Sequence, residues 1–426
     1  MREKLGNLLS LLLRRWGHLF SNYYFALRCT LANLNRDIDV CIAHDSYSLN
    51  ASSIVSRIHR AELIYDAVEV PLIIHRSGKY LSNNMSKYAI KFINDYVEPT
   101  IFSRLDRIIA NSPGHERWLK EHYSLSVKSE LVSNARSFQE IQINSTIRMD
   151  AGLNETEHLV LYIGNANPSY GLEELIKALP LLSDDIHVGF LGYMPDSYKL
   201  LIENLVSELN VELRFHFLNP VSYEKLPEYA SEADLGVIAL HRDVLNMELC
   251  LPNRFFDFVM ARLPIATSKI PAIESFVNRY ELGQVFDEKD PANMAKVISD
   301  MLKNENIQKY KKSCEKAARI LCWENEQKKL LAIVEDYKTD KRDLSICIFA
   351  RKNIWRTNRV TRMAHTLNSA GHHVTVMSPF DGTSSVEGDG TDYRTVDDGR
   401  SLIKAMTGIY KKIIGENPEL KIERNN

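Results

Sequence analysis

The sequence lacks a charge surplus of either sign: 53 Lys and Arg stand against 55 Asp and Glu, a formal net charge of −2. Broad nucleic-acid binding wants a basic surplus and finds no support here. Cysteine is sparse. The six (Cys29, Cys41, Cys250, Cys314, Cys322, Cys347) are scattered and form no C-x-x-C pair. That disfavours a disulfide frame or a zinc site and reads as reduced cytosolic thiols. Long apolar runs are also missing. The one near the N-terminus stops after six residues at Arg14–Arg15, too short to span a bilayer and short for a signal-peptide core. There is no G-x-S-x-G, no Walker A and no G-x-G-x-x-G, so dehydrogenase and P-loop readings lose most of their support. The thirteen histidines form no convincing H-x-x-x-H pair, and GDGTDYRTVDDG fails calcium-loop spacing and reads as a solvated loop. No metal and no cofactor are expected.

What is present is an ordinary globular composition, 45% hydrophobic and 25% charged, over 426 residues, a length for two or three domains. The opening MREKLGNLLSLLLRRWGHLF is a basic amphipathic helix. It lies on an anionic membrane surface or packs on a sheet. Strands and helices then alternate: strand 37–45, helix SLNASSIVSRIHRA, strand 62–71, a helical stretch over 86–104, strand 107–112, helix PGHERWLKEHY, strand 129–134. Residues 135–155 are polar and irregular and read as a linker. A second series runs from the strand and Gly-containing loop of HLVLYIGNANPSYGLEELIKALPLL (158–182) to a long helical region over 306–337. Alternation of this kind predicts parallel sheets covered by helices on both faces, an α/β fold of two Rossmann-like domains facing a cleft. Ligands in such sheets sit beyond the carboxyl ends of the strands. Residues 343–382 are again strand, loop, helix, strand; 381–400 are polar, and SLIKAMTGIYKKII is one further helix. The domains predicted are 1–140, 150–335 and 343–426.

One stretch, LCLPNRFFDFVMARLPIATS (249–268), carries Asn253, Arg254 and Asp257 in an otherwise apolar segment. Burying such groups without partners costs on the order of 2–7 kcal/mol for a polar group and more for a charge. Either they face water, with Arg254 and Asp257 paired to each other, or they face a ligand. Pro252 and Asn253 start a helix whose orphan N–H groups favour an anion. Arg254 adds a charge-assisted donor. Asp257, four residues after Asn253, shares its face.

Four segments together resemble the family 4 glycosyltransferases of the GT-B fold. LPNRFFDFVMARLPIATS is similar to the family's L-P-N-K-x-x-E-Y-x-x-A-G-x-P, and IYDAVEVP to its Y-D-A-H-E strand end. IGNANPSYGLEELIKAL resembles the Gly loop and helix that open the donor domain. ARKNIWRTNRVTRMAHTLNSAGHHVTVMS resembles the first N-domain unit, with Asn-Arg-Val where the family often has Ser/Asp-Arg-Val. The likeness covers most of 37–335, with 343–380 in permuted order, so that the opening strand–helix–strand unit of the N-domain stands near the C-terminus. The resemblance implies a glycosyltransferase that moves a sugar from a nucleotide-sugar donor to a glycan or lipid-linked acceptor. It implies retention of configuration and a role in cell-surface polysaccharide or glycolipid assembly. The expected place is the cytoplasm, with peripheral contact at the inner face of the membrane. The candidate catalytic residues are Glu248 and Asp257. The resemblance gives the Asp257 position the task of accepting hydrogen bonds from the ribose hydroxyls. The candidate substrate-binding residues are Gly164, Asn165, Tyr170, Gly171, Pro252, Asn253, Arg254, Asp66, Glu69 and Arg359.

The sequence departs from the family at three places. Many members carry E-x7-E; counting back eight from Asp257 gives Leu249, and Glu248 is one residue off. Glu248 fills the sugar-contacting role from the preceding loop, or the role is absent. Tyr170 stands where a basic residue precedes the second Gly, so phosphate falls to Arg254, to N–H groups after Gly164, or to the other domain. Val68 stands where the family has His. Asp66 and Glu69 remain at the strand end and face the cleft or cap the next loop. His44–Asp45 ends a strand and touches the acceptor or is structural. Two readings of the chain order stay open: a circularly permuted enzyme, or a slice of a tandem array. A non-catalytic GT-B module that binds a nucleotide sugar or scaffolds a partner transferase is the rival to the enzyme.

Overall fold

The computed structural model describes residues 21, 23–69, 98–142, 146–337, 343–351, 358–379 and 390–396. The expected helices over 1–20 and 401–414, most of the stretch 86–104 and most of the polar run 381–400 fall outside them. The chain divides into two compact units, one of 1–109, 122–130 and 331–426, the other of 110–121 and 131–330.

The first unit is built on a seven-stranded sheet. In chain order its strands are β1 (Val40–His44), β2 (Glu62–Ala67), β3 (Arg107–Ala110), β4 (Lys128–Leu131), β11 (Ser345–Ala350), β12 (His373–Ser378) and β13 (Asp392–Thr395). They lie in the order β13-β12-β11-β1-β2-β3-β4. All five residues of β1, VCIAH, are buried, and the first four form the apolar run of a strand covered on both faces. β1 pairs in parallel with β2 on one side and with β11 on the other, Cys41 opposite Cys347 and Ile42 opposite Ile348. The strand that would be an exposed edge without its opening unit is therefore paired on both sides. The helix Asn358–Ser369 joins β11 to β12, and His372 N–H closes its C-terminal turn on Leu367 O at 3.2 Å. β13 corrects the reading of GDGTDYRTVDDG as a solvated loop. It pairs in parallel with β12, and Arg36 draws it in through Asp392 Oδ2 at 3.1 Å.

The second unit is a six-stranded sheet in the order β10-β9-β8-β5-β6-β7. Its strands are β5 (His158–Ile163), β6 (Ile186–Leu191), β7 (Phe215–Leu218), β8 (Leu235–Ile238), β9 (Ile265–Ser268) and β10 (Gly283–Phe286). Side chains of successive strand residues point to opposite faces. Leu159, Leu161 and Ile163 thus enter one core with Phe255, Phe256 and Phe258. Val160 and Tyr162 enter the other with Leu175, Ile176 and Phe190. The supposed linker 135–155 is corrected here: Thr146–Asp150 is a helix. Ile147 is fully buried, and Tyr229 donates to Asp150 Oδ2 at 2.6 Å. The long helical region over 306–337 consists of two helices, Asn304–Ile320 and Trp323–Glu335. It breaks because Leu321, Cys322 and Trp323 all turn inward, with Trp323 N–H donating to Arg136 O at 2.7 Å. None of the six cysteines is in a disulfide.

Candidate functional site

In the second unit the chain leaves β5 at Gly164, in a left-handed backbone conformation (φ +107°). A β-carbon there would sit 3.3 Å from Nη2 of Arg254, so the glycine lets the guanidinium lie against the backbone. Asn167 Oδ1 accepts from Ser169 N–H at 2.9 Å and caps the turn Pro168–Tyr170. Gly171 follows at φ +69°, and a β-carbon there would lie 1.8 Å from Ala239 O. The loop is held at both ends by residues that tolerate no side chain.

Arg254 reaches this loop from the first turn of the helix Asn253–Met260, for which Pro252 is the extended cap residue. It is only 8% exposed. Its guanidinium carbon stands 4.7 Å from the centre of the Tyr162 ring and 5.4 Å from that of Tyr170. Nη2 donates to Asn165 O at 3.3 Å. Nη1 is buried and has no hydrogen-bond partner. Burial pushes the Tyr162 phenol up, and the neighbouring Arg254 opposes that in part. Gly164, Asn165, Tyr170, Gly171, Pro252 and Arg254 thus form one cluster around a buried cation with an unused donor. A buried charged donor left unmatched is expensive.

Asp257 lies one turn further along the same helix but is not paired with Arg254. It is buried and accepts from Arg136 Nη1 at 2.6 Å. The Arg136 guanidinium carbon stands 3.5 Å from the centre of the Tyr223 ring, and Arg136 also donates to Tyr223 O. Asn134 Nδ2 donates to Asn253 Oδ1 at 2.7 Å. The solvated Arg254–Asp257 pair considered from the sequence is therefore corrected: both side chains are buried, and each has other neighbours. Segment 134–136 was read as strand end and linker, and it supplies partners to Asn253 and Asp257.

Glu248 is exposed on the short helix Leu245–Leu249. Residues that sequence reasoning missed seat this helix. Ser112 Oγ donates to Leu249 O at 2.7 Å, and His115 Nε2 is 3.0 Å from Asn246 Oδ1. A β-carbon on Gly114 would lie 2.5 Å from Leu249 O. The only signal in the sequence was Ser-Pro-Gly at a helix start, which speaks for a cap and not for a seat.

In the first unit, Asp66, at 0% exposure, is held by two neighbours. Arg359 donates through Nε at 3.1 and 3.0 Å to its two oxygens and through Nη2 at 2.6 Å to Oδ1. His44 Nδ1 is 2.6 Å from Oδ2. Burial alone would raise the Asp66 pKa, but the Arg359 charge and the His44 hydrogen bond outweigh it and hold the carboxyl well below the usual range. Glu69 is half-buried just past the strand end. Among the described residues no group of three or more His, Cys, Asp or Glu is arranged to hold a metal ion. No helix among them is long and apolar enough to cross a membrane.

Residues 144–320 match the family model for glycosyl transferases group 1. A D-inositol 3-phosphate glycosyltransferase of Geodermatophilus obscurus is 22% identical over 225 residues, covering 49% of this chain and 48% of that protein. The match thus spans about half the length of that curated relative. Among solved structures, sucrose-phosphate synthase from Thermosynechococcus elongatus is similar over 70% of this chain and 73% of its own, at 17% identity and a TM-score of 0.56. The Anabaena protein HepE, solved in complex with UDP, is similar over 73% of this chain and 82% of its own, at 15% identity and a TM-score of 0.58. The fold is that of two parallel-sheet Rossmann-like domains of the GT-B kind, and the stretch similar to the group 1 glycosyl transferases lies in the second unit.

Proposed function

We propose that this chain is a family 4 type glycosyltransferase that moves a sugar from a nucleotide-sugar donor to a glycan or lipid-linked acceptor with retention of configuration. The observation that carries the reading is Nη1 of Arg254, buried, charged and unpartnered beside the Gly164 loop. A diphosphate is the ligand such a site fits. It would take the unused donor and meet the N–H groups at the start of the helix Asn253–Met260. As the bond from the anomeric carbon to the diphosphate oxygen breaks, negative charge grows on the leaving group. Preorganised donors stabilise that charge more than the ground state, and losing one costs on the order of 10²–10³ in rate. Asp257 takes the ribose hydroxyls, for which a carboxylate is an acceptor with about four sites. Glu248 contacts the sugar, and no metal or cofactor is called on.

We read the chain as one permuted enzyme of cell-surface polysaccharide or glycolipid assembly, acting in the cytoplasm at the inner face of the membrane. The pairing of β1 with β11 supports the first part. The exposed Tyr23, Leu27, Leu31 and Leu34 on and just after the helix over 23–33 support the last, since an apolar stripe on a surface helix suits a lipid interface. The test is thermal unfolding of the chain with UDP, GDP and ADP in turn, followed by release of that nucleotide from its sugar conjugates. A midpoint raised by one nucleotide and sugar transfer from its conjugate are expected. Nucleotide binding without any turnover would leave the non-catalytic module, and a midpoint blind to all three would sink the donor site.

A further inference from the structure

The first unit holds a second polar side chain with an unused hydrogen-bonding atom. His44 closes β1, and Asp66 stands opposite it in register on β2. An ionised carboxylate only accepts hydrogen bonds, so the proton in the 2.6 Å contact belongs to Nδ1 of the imidazole. In the neutral ring, Nε2 is then a lone pair. Arg359 grips both oxygens of Asp66, which keeps the carboxylate from turning away from the ring. Ser48 Oγ fastens the loop behind it, donating to His44 O at 2.8 Å and to Asp45 O at 3.0 Å. The imidazole is thus fixed in place and in tautomer, as histidines that act through one nitrogen are. Nε2 itself makes no hydrogen bond with any described residue, although His44 is only 2% exposed. It stands at the carboxyl end of a parallel strand, where open α/β sheets present their ligand-binding groups.

We propose that His44 is the residue by which the first unit binds the hydroxyl group of its acceptor. Nε2 accepts the hydrogen bond of that hydroxyl, and Asp66 and Arg359 act behind it as positioning residues. This rests on the transfer reaction proposed above. The ligand class is a neutral polyol such as a sugar hydroxyl. Asp66 is engaged with both the ring and Arg359, so it need not touch the ligand.

The test is ¹⁵N magnetic resonance of the full chain with labelled histidine, titrated with a set of p-nitrophenyl glycosides as surrogate acceptors. His44→Gln assigns the signals. The free protein should show His44 in the Nδ1–H form, and at least one glycoside should move its Nε2 signal. Asp66→Asn should release the tautomer. Transfer to that glycoside should fall about tenfold or more in His44→Gln, the loss of one buried hydrogen bond, with the nucleotide-induced rise in unfolding midpoint intact. An Nε2–H form in the free protein, or an Nε2 signal that no glycoside moves, would overturn the proposal. Should no nucleotide raise the midpoint of the unaltered chain, the donor reading fails instead, and the resonance titration alone decides for or against His44.

Discussion

Replacing Arg254 by Met separates a ligand-binding cation from a structural one. Without ligand, the substitution removes two ring contacts, worth about 0.5–2 kcal/mol each, and a long hydrogen bond to Asn165 O. It also removes a buried charged donor that has no partner at Nη1, a burden of about 1–3 kcal/mol or more. Met fills much of the same volume between the rings. The terms oppose one another, and the unliganded variant should unfold in urea within about 1 kcal/mol of the parent. With nucleotide the balance changes. Truncating one partner of a buried charged hydrogen bond costs about 2–5 kcal/mol, so the dissociation constant should rise about 30-fold or more. Titration calorimetry with UDP, or with whichever nucleotide raises the midpoint, reads this directly. An unchanged dissociation constant would refute the phosphate role. A variant destabilised by more than about 3 kcal/mol with no ligand present would show that Arg254 is a structural cation instead.

Gly171→Ala should destabilise the second unit by more than about 2 kcal/mol in urea unfolding, because its β-carbon would lie 1.8 Å from Ala239 O at a positive φ. Arg136→Met should cost about 3–5 kcal/mol by removing one partner of the buried ion pair with Asp257, while Arg136→Met with Asp257→Leu should recover most of that loss; equal losses in the single and double variants would count against the pair. Asp66 is held below its ordinary pKa in the folded chain, so it contributes stability that is present above its unfolded pKa of about 4 and lost as the pH falls below that value. Unfolding free energy measured from pH 6 downward should therefore drop less steeply in Asp66→Asn than in the parent.

Much of the fold was legible because strand–helix alternation is written in composition. VCIAH and HLVLYI are apolar apart from His44 and His158 at their ends, as strands covered on both faces tend to be. What escaped was decided by contacts distant in sequence. The helix Thr146–Asp150 has a polar sequence, TIRMD, and is fixed by one buried Ile147 and a hydrogen bond from Tyr229. β13, DYRT, has no apolar pattern of its own and is defined by the edge of β12 and by Arg36. The break at Leu321–Cys322 interrupts a good helical periodicity because the turn must bring Trp323 to Arg136 O.

For the site, sequence could name Asn253, Arg254 and Asp257 as groups needing partners, but not who the partners are. Periodicity says which residues share a face; it does not say what lies opposite. The pairing of Arg254 with Asp257 was the simplest local answer. The chain rejects it by bringing Arg136 to Asp257 and two tyrosine rings to Arg254. Tyr170 stood out in the sequence as a missing cation. Its ring faces a cation already present, so the change at 170 is coupled to 254 and does not by itself mark a lost phosphate contact. The same reasoning applies to Asp66. In the sequence it was a carboxylate at a strand end, free to face a ligand. Buried between Arg359 and His44, it passes that task to the ring beside it.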